Sequence, residues 1–338
     1  MGIGVISMQV TIKDIARALG LSPATVSLAL NDSPMVNPDT ARRVRSEANR
    51  VGYVPNQYAR GLARGRSGII ALIVPEIRND YFASMVDYAT EASKQSGYDL
   101  AVYISNESFD DEKRIFRKLL QQNVEAVIVA PVSKPPRDRE YMAWMQSCGL
   151  PIVFASSKYV EVDAPCVMCD LTDGMRMLTQ HLCEQGFRRI ALLTGPTGVY
   201  TFELREAGYR AALTRYALSP ETHRVQHAGY REAFDCAYNM GELPDALICV
   251  NDITALGALN AMIARGVRVP DKIRIAGFDD CVYSQVAAVP MTTVSQDVRE
   301  IVEKALVMAR MRIEDASKRI ADERISCSLI TRRSTSVL

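Results

Sequence analysis

Few side chains in this sequence are spaced for catalysis. Cys166 and Cys169 form a lone C-x-x-C among eight cysteines. Zinc would need a second pair or suitably spaced histidines, and His181, His223 and His227 lie elsewhere in the sequence. A redox pair would want a helix N-terminus, whereas the surrounding APCVMCD reads as a strand. No G-x-G-x-x-G follows the first apolar run, and no nucleophile–base set stands out. We therefore expect no catalytic residue, no metal, no cofactor and no enzyme. What remains is a set of hydrogen-bonding and aromatic side chains beside apolar runs. Tyr81 and Phe82 follow IIALIV, and their rings can stack on a ligand. Asn251 and Asp252 follow PDALICV, Asp279 follows KIRIAGF, and Arg205 follows RRIALLTG by ten residues or so. An arginine and an aspartate from opposite sides of a cleft suit hydroxyl groups, because both orient hydrogen bonds bidentately. His223 and His227 flank a strand and are expected at the surface or a pocket rim.

A particular scaffold brings such residues together. From Ile69 onward the pattern alternates strand and helix. IIALIV, LAVYIS, VEAVIVA and PIVFAS read as buried strands, with helices over Phe82–Ser96 and around Lys113–Gln121 and Tyr141–Ser147. RRIALLTG, PDALICV and KIRIAGF repeat the scheme. Continuous apolar strands between helices mean parallel sheets covered on both faces. The strands are too many for one sheet, so two doubly wound subdomains are expected, with ligands at the carboxyl ends of strands.

The head of the chain is different. TIKDIARALGLSPATVSLALN reads as two short helices joined by a tight turn. Thr11 can cap the first, its hydroxyl accepting from the backbone N–H of Asp14. Ile12, Ile15, Ala16 and Leu19 form one apolar stripe, and Gly20 can end it. Ser22 caps the second helix, with Pro23 at its first position. Val26, Ala29 and Leu30 supply its inner face. A third helix fits Pro38 to Val51, capped by Asn37. This is a helix-turn-helix, whose second helix enters the DNA major groove. Charge agrees. Residues 1–66 hold nine Lys and Arg against four Asp and Glu, and the remainder holds 31 against 35. A basic head on a mildly acidic body is the footprint of phosphate contact.

Length and composition set the frame. The 338 residues suggest two or three domains, and 48% hydrophobic with 23% charged residues suits a soluble globular chain. No apolar run is long enough for a membrane span. MGIGVISMQV is no secretory signal, so the cysteines are expected to be reduced in a cytoplasmic protein. Residues 1–7 are expected to be a disordered lead, with Met8 the more natural start.

TIKDIARALGLSPATVSLALN, then VNPDTARRVRSEANRVGYVPNQYARGLARGRSG and IIALIVPEIRNDYF, resemble the lactose/galactose repressor (LacI) family. T-V-S-x-x-L-N, G-Y-x-P-N and A-R-x-L-x-x-G occur together and in order, and the resemblance runs from Val10 to LITRRSTS. It implies a small all-α helix-turn-helix head at 8–54, a hinge helix and linker at 55–67, and an effector-binding and dimerisation body at 68–338. The body is expected to be periplasmic-binding-protein-like, with crossovers near Asp163 and Thr293 and a return near Asp322. The N-subdomain is then about 68–162 plus 294–321, and the C-subdomain about 163–293 plus 322–338.

The resemblance also implies residue roles. Bases are read from the start of the recognition helix and one position further on, here Pro23, Ala24 and Leu28. Apolar side chains can touch thymine methyls but cannot bond guanine edges. Thr11, Ser22, Thr25, Ser27, Asn37 and Thr40 fit phosphate contacts, and the DNA-facing set extends to Tyr53, Asn56, Ala59 and Ala63. Leu62 matches a hinge leucine that wedges into a minor-groove step. In the body, Arg205 belongs to an R-x-A-G-aromatic motif that faces the effector, and Tyr230 matches an aromatic that stacks on it. Tyr81, Phe82, Thr201, Asn251 and Asp279 complete the expected pocket with Ser156, which stands where many members carry Asp. Purine-type members have Arg at the position of Val199, so a sugar or sugar acid is the expected effector. Truncation of Arg205 or Asp279 is expected to leave folding intact. Three function classes follow from these residues. The one favoured is a homodimeric, effector-controlled repressor of a pseudo-palindromic double-stranded operator. A periplasmic-type sugar-binding protein is the alternative, but it would have no use for the basic head. A Rossmann-type enzyme lacks its fingerprint.

Overall fold

The computed structural model describes residues 10–53, 66–134 and 139–336. The chain divides into two units, Met1–Ser67 and Gly68–Leu338.

In the first unit, helices α1 (Ile12–Leu19), α2 (Pro23–Leu30) and α3 (Pro38–Arg50) form where their caps are written. Ser22 accepts from Thr25 N–H at 3.0 Å, Asn37 accepts from Asp39 N–H at 2.8 Å, and Pro23 and Pro38 occupy first turns. Gly20 closes α1 at φ 66, a conformation that costs glycine nothing. Thr11 and Asp14 form a capping box at the start of α1, as expected. The Thr11 hydroxyl also donates to the Asp14 carboxylate at 2.6 Å, and the same carboxylate accepts from Thr11 N–H at 3.0 Å. Asp14 N–H also donates to the Thr11 carbonyl at 3.0 Å. Ile15, Ala16, Val26, Ala29, Ala41, Val44 and Ala48 form the small core.

The second unit holds two parallel sheets. The first lobe has strands β1 (Ile69–Val74), β2 (Asp99–Ile104), β3 (Ala126–Val129), β4 (Ile152–Ala155) and β5 (Cys166–Cys169), with helices α4 (Asp80–Ser96), α5 (Phe109–Gln121) and α6 (Arg139–Ser147). The second lobe follows with α7 (Leu171–Glu184), β6 (Ile190–Thr194), α8 (Tyr200–Arg215), β7 (Glu221–Arg224), α9 (Tyr230–Tyr238), β8 (Ala246–Cys249), α10 (Asp252–Ala264), β9 (Arg274–Ala276) and α11 (Val282–Val286). The chain returns through β10 (Thr293–Ser295) to α12 (Val298–Glu314), then β11 (Glu323–Ile325) and β12 (Ser328–Ile330). Strand order is β11-β5-β4-β3-β1-β2 in the first sheet and β7-β6-β8-β9 in the second, with β10 and β12 paired antiparallel.

The crossovers differ from expectation. β5 still belongs to the first sheet, pairing Phe154 with Cys166 and Ala155 with Val167, so the first crossover falls after Cys169 rather than near Asp163. β11 pairs with β5 through Ile325 and Cys169, so the last return follows Ile325 rather than Asp322. β10 stays with β12, and α12 packs on β3, β4 and β5, which moves the middle crossover from Thr293 to Gln296 and Asp297. The reason is burial. CVMC is buried at every position and needs a strand on each side.

Candidate functional site

A cleft of about 850 Å³, open to solvent, lies between the two lobes of the second unit at the carboxyl ends of strands. Of the expected pocket residues, Tyr81, Phe82, Ser156, Thr201, Arg205, Asn251 and Asp279 line it. Each is placed by a local feature. Asn79 caps α4 by accepting from Tyr81 N–H at 3.1 Å, which fixes the first turn carrying Tyr81 and Phe82. The two rings meet edge to face at 5.3 Å. Tyr81 is buried, and its hydroxyl lies 2.5 Å from Ser156 Oγ. Burial holds its pKa well above the ordinary tyrosine value, so it stays protonated. Asn251 caps α10, accepting from Thr254 N–H at 2.9 Å.

Arg205 and Asp279 stand together rather than on opposite walls. Both come from the second lobe, and Arg205 Nη2 donates to Asp279 Oδ1 at 3.0 Å. The guanidinium also lies 4.3 Å over the Phe278 ring. Both side chains are 7% exposed, so this is a buried ion pair. Burial pushes the Asp279 carboxyl up to about 6, against the pull of Arg205 and of Gln296, which donates to it at 2.7 Å. Among the described residues, Arg205 Nε is buried without a hydrogen-bond partner. Gly208 seats this helix. A Cβ there would lie 2.1 Å from the Thr172 carbonyl oxygen, so only glycine lets α8 approach α7 so closely. Truncating either member of the pair is therefore no neutral change, contrary to the sequence expectation.

Tyr230 does not line the cleft. Its ring stacks on Phe234 at 6.3 Å, its hydroxyl accepts from Asn260 Nδ2 at 3.0 Å, and it is 39% exposed. The same loop instead brings Gln226 and His227 to the cleft. His223 lies within β7 rather than beside it, its Nε2 3.0 Å from Glu221 Oε1. Cys166 and Cys169 do not converge. They are three apart on a strand, so they point to opposite faces. Burial pushes the Cys166 thiol up to about 12.

On the head, Thr11, Ser22, Pro23, Ala24, Leu28 and Asn37 are exposed, while Thr25, Ser27, Thr40 and Tyr53 are half-buried. Leu28 is a large apolar side chain 39% exposed on a short helix whose other face is core. Asn56, Ala59, Leu62, Ala63 and most of the expected hinge lie outside the described residues, as do residues 1–9.

Comparison with known proteins resolves what these two units are. The model for bacterial regulatory proteins of the lacI family matches residues 11–56, and that for periplasmic binding protein-like domains matches residues 179–335. The chain is 28% identical over 345 residues to the HTH-type transcriptional regulator DegA of Bacillus subtilis, covering 98% of this chain and 99% of that protein. It is 27% identical to the ribose operon repressor of Halalkalibacterium halodurans, covering 96% and 97%. The crystal structure of the Lac repressor dimer bound to operator and the anti-inducer ONPF superposes with a TM-score of 0.87 at 26% identity, covering 97% and 99%. The chain joins a regulatory head of the lacI-family type to a periplasmic binding protein-like domain.

Several cleft residues were not foreseen from the sequence. Glu107, Phe202, Gln226 and Gln296 all line it, beside His227, which was expected at the surface or a pocket rim. Glu107 follows β2 in a left-handed turn at φ 53 and accepts from Ser133 N–H at 2.9 Å. Burial raises its pKa. The polar residues SNES after a strand end offered a signal for it. Gln296 had one too, a polar residue directly after the TTVS strand where the chain changes lobes.

Proposed function

We propose that this protein is a sequence-specific DNA-binding transcription regulator that represses from a pseudo-palindromic operator as a homodimer. A hydroxylated small molecule, a sugar or sugar derivative, sets its affinity from the interlobe cleft. The observation that carries this reading is one chain holding both a helix-turn-helix with an exposed recognition face and a two-lobed body with a polar cleft. Phosphate contacts are assigned to Thr11, Ser22, Thr25, Ser27, Asn37 and Thr40, with Tyr53 and Asn56 in the DNA-facing set. Base contacts are assigned to Pro23, Ala24 and Leu28 and the minor-groove wedge to Leu62, with Ala59 and Ala63 beside it in the DNA-facing set. In the cleft, Arg205, Asp279, Asn251, Thr201 and Ser156 orient hydroxyls, and Tyr81 and Phe82 supply the aromatic wall. The cleft suits a ligand of many hydroxyls because its donors and acceptors are numerous, while its strongest charges neutralise each other. The effector biases two lobe arrangements only through different contacts in each. Residues 8–54 form the DNA-binding unit in this reading and 55–67 the hinge. A thermal-shift panel of aldoses, ketoses, disaccharides and sugar acids, run on the wild type and on Asn251→Ala, tests the cleft assignment. A sugar that stabilises the wild type and fails on the variant supports it. Equal stabilisation of both overturns it.

A further inference from the structure

A buried chain of hydrogen bonds crosses the floor between the lobes. Ser156 Oγ lies 2.5 Å from Tyr81 Oη, and Tyr81 Oη lies 3.4 Å from Gln296 Oε1. Gln296 Nε2 donates to Asp279 Oδ1 at 2.7 Å, and Arg205 Nη2 donates to the same oxygen at 3.0 Å. Ser156 and Tyr81 belong to the first lobe, Asp279 and Arg205 to the second. Gln296 sits on the crossover between β10 and α12 and is 6% exposed. Two members hold positive φ without being glycine, Ser156 at 66 and Asp279 at 113. Such strain persists only where the surroundings over-determine it, and it clusters at functional positions. At Asp279 the backbone is pinned to the crossover strand, its N–H donating to Val294 O at 2.8 Å.

The chain has a direction. An ionised carboxylate only accepts, so Gln296 turns its amide NH₂ to Asp279 and its carbonyl to Tyr81. Tyr81 must then donate to Gln296, which leaves its oxygen to accept from Ser156. We propose that Gln296 is the positioning residue that joins the lobes, transmitting what Asp279 bonds in the second lobe to Tyr81 and Ser156 in the first. Its 3.4 Å link to Tyr81 is the longest in the chain and the first to part when the lobes rotate. The direction also sets ligand chemistry. Ser156 commits its proton to Tyr81 and offers the cleft only lone pairs, so a ligand atom above it must donate. The inference takes its purpose from the effector reading, but the coupling exists without ligand and is tested without one.

The experiment is hydrogen–deuterium exchange of the full-length protein, read on first-lobe peptides spanning 79–86 and 152–158. Asp279→Ala, a second-lobe change that removes the acceptor of both Gln296 and Arg205, is expected to speed exchange there roughly fivefold or more, the lower end of ordinary coupling between sites. In a Gln296→Leu background those peptides already exchange fast, and adding Asp279→Ala changes them no further. Gln296→Glu is expected to behave like Gln296→Leu, because a carboxylate cannot donate to Asp279. If Gln296→Leu does not fold, Gln296→Glu with and without Asp279→Ala decides alone. Unchanged first-lobe exchange in Asp279→Ala, or an undiminished effect without Gln296, overturns the proposal. None of these outcomes bears on whether the cleft binds a sugar.

Discussion

Arg205→Met removes the guanidinium while keeping an unbranched side chain over Phe278. Asp279 then stays buried with Gln296 still donating to it, but its counter-charge is gone. Breaking a buried pair by removing one partner costs about 3–5 kcal/mol. In a unit of this size each kcal/mol lowers the melting temperature by about 2–4 °C, so the loss should be roughly 6–20 °C. The pH dependence gives a second signature. Burial already pushes Asp279 up to about 6, and Arg205 pulls it back. Without Arg205 the carboxyl rises further. The folded protein then holds this proton more tightly than the unfolded chain, whose carboxyl stays near 3.9. Stability from this group is therefore highest at low pH and falls as pH rises through that window. The deficit of Arg205→Met should be largest at pH 8 and smaller at pH 5. Adding Asp279→Asn removes both charges and should recover part of the loss, because replacing a whole buried pair is often close to neutral. Thermal unfolding of the three variants at both pH values measures this. A single variant melting within about 2 °C of wild type at pH 8, or a deficit equal at both pH values, would refute a buried pair at the cleft floor.

Other outcomes are as specific. Glu112 is fully buried, accepts from Tyr141 and Tyr159 hydroxyls at 2.9 and 3.1 Å, and is pushed up to about 7 by burial. Glu112→Gln should therefore stabilise the protein at pH 8, by up to about 3 kcal/mol, with the gain shrinking toward pH 5 as the wild-type carboxyl takes up its proton; denaturant midpoints at the two pH values check it. Gly208→Ala forces a Cβ against the Thr172 carbonyl and should melt well below wild type, with sugar responses lost along with Arg205's seat. Leu62→Ala should weaken operator binding more than random-DNA binding, since phosphate contacts and their salt dependence survive; equal losses in a filter-binding titration would remove the wedge role. Light scattering at micromolar concentration should give twice the chain mass of 37.4 kDa, and a tetramer mass would count against the dimer.

The head was legible in detail because its signals are local. Ser22 with Pro23, Asn37 with Pro38, and Gly20 each state a helix boundary in one or two residues, and the helices begin and end there. Alternating apolar runs likewise announced the parallel sheets, since each buried strand is a continuous hydrophobic segment. What failed depends on partners distant in sequence. CVMC reads equally well as the last strand of one lobe or the first of the next, and only its pairing with β4 and β11 decides. Arg205 and Asp279 were expected to face each other across a ligand, yet they are neighbours in one lobe, which periodicity cannot reveal. Tyr230 opens α9 as expected, but the short helix turns its ring onto Phe234 and away from the cleft. Gln296 escaped notice because a single amide gains meaning only from the two lobes it touches.

The central claim, that this protein reads a symmetric DNA sequence, is tested most directly by selection from random-sequence duplex DNA with the purified full-length protein. The selected pool should converge on two inverted half-sites about one or more helical turns apart, bound far more tightly than the starting pool and weakening steeply with added salt. A pool that fails to enrich, or converges on a site without two-fold symmetry, would contradict the account.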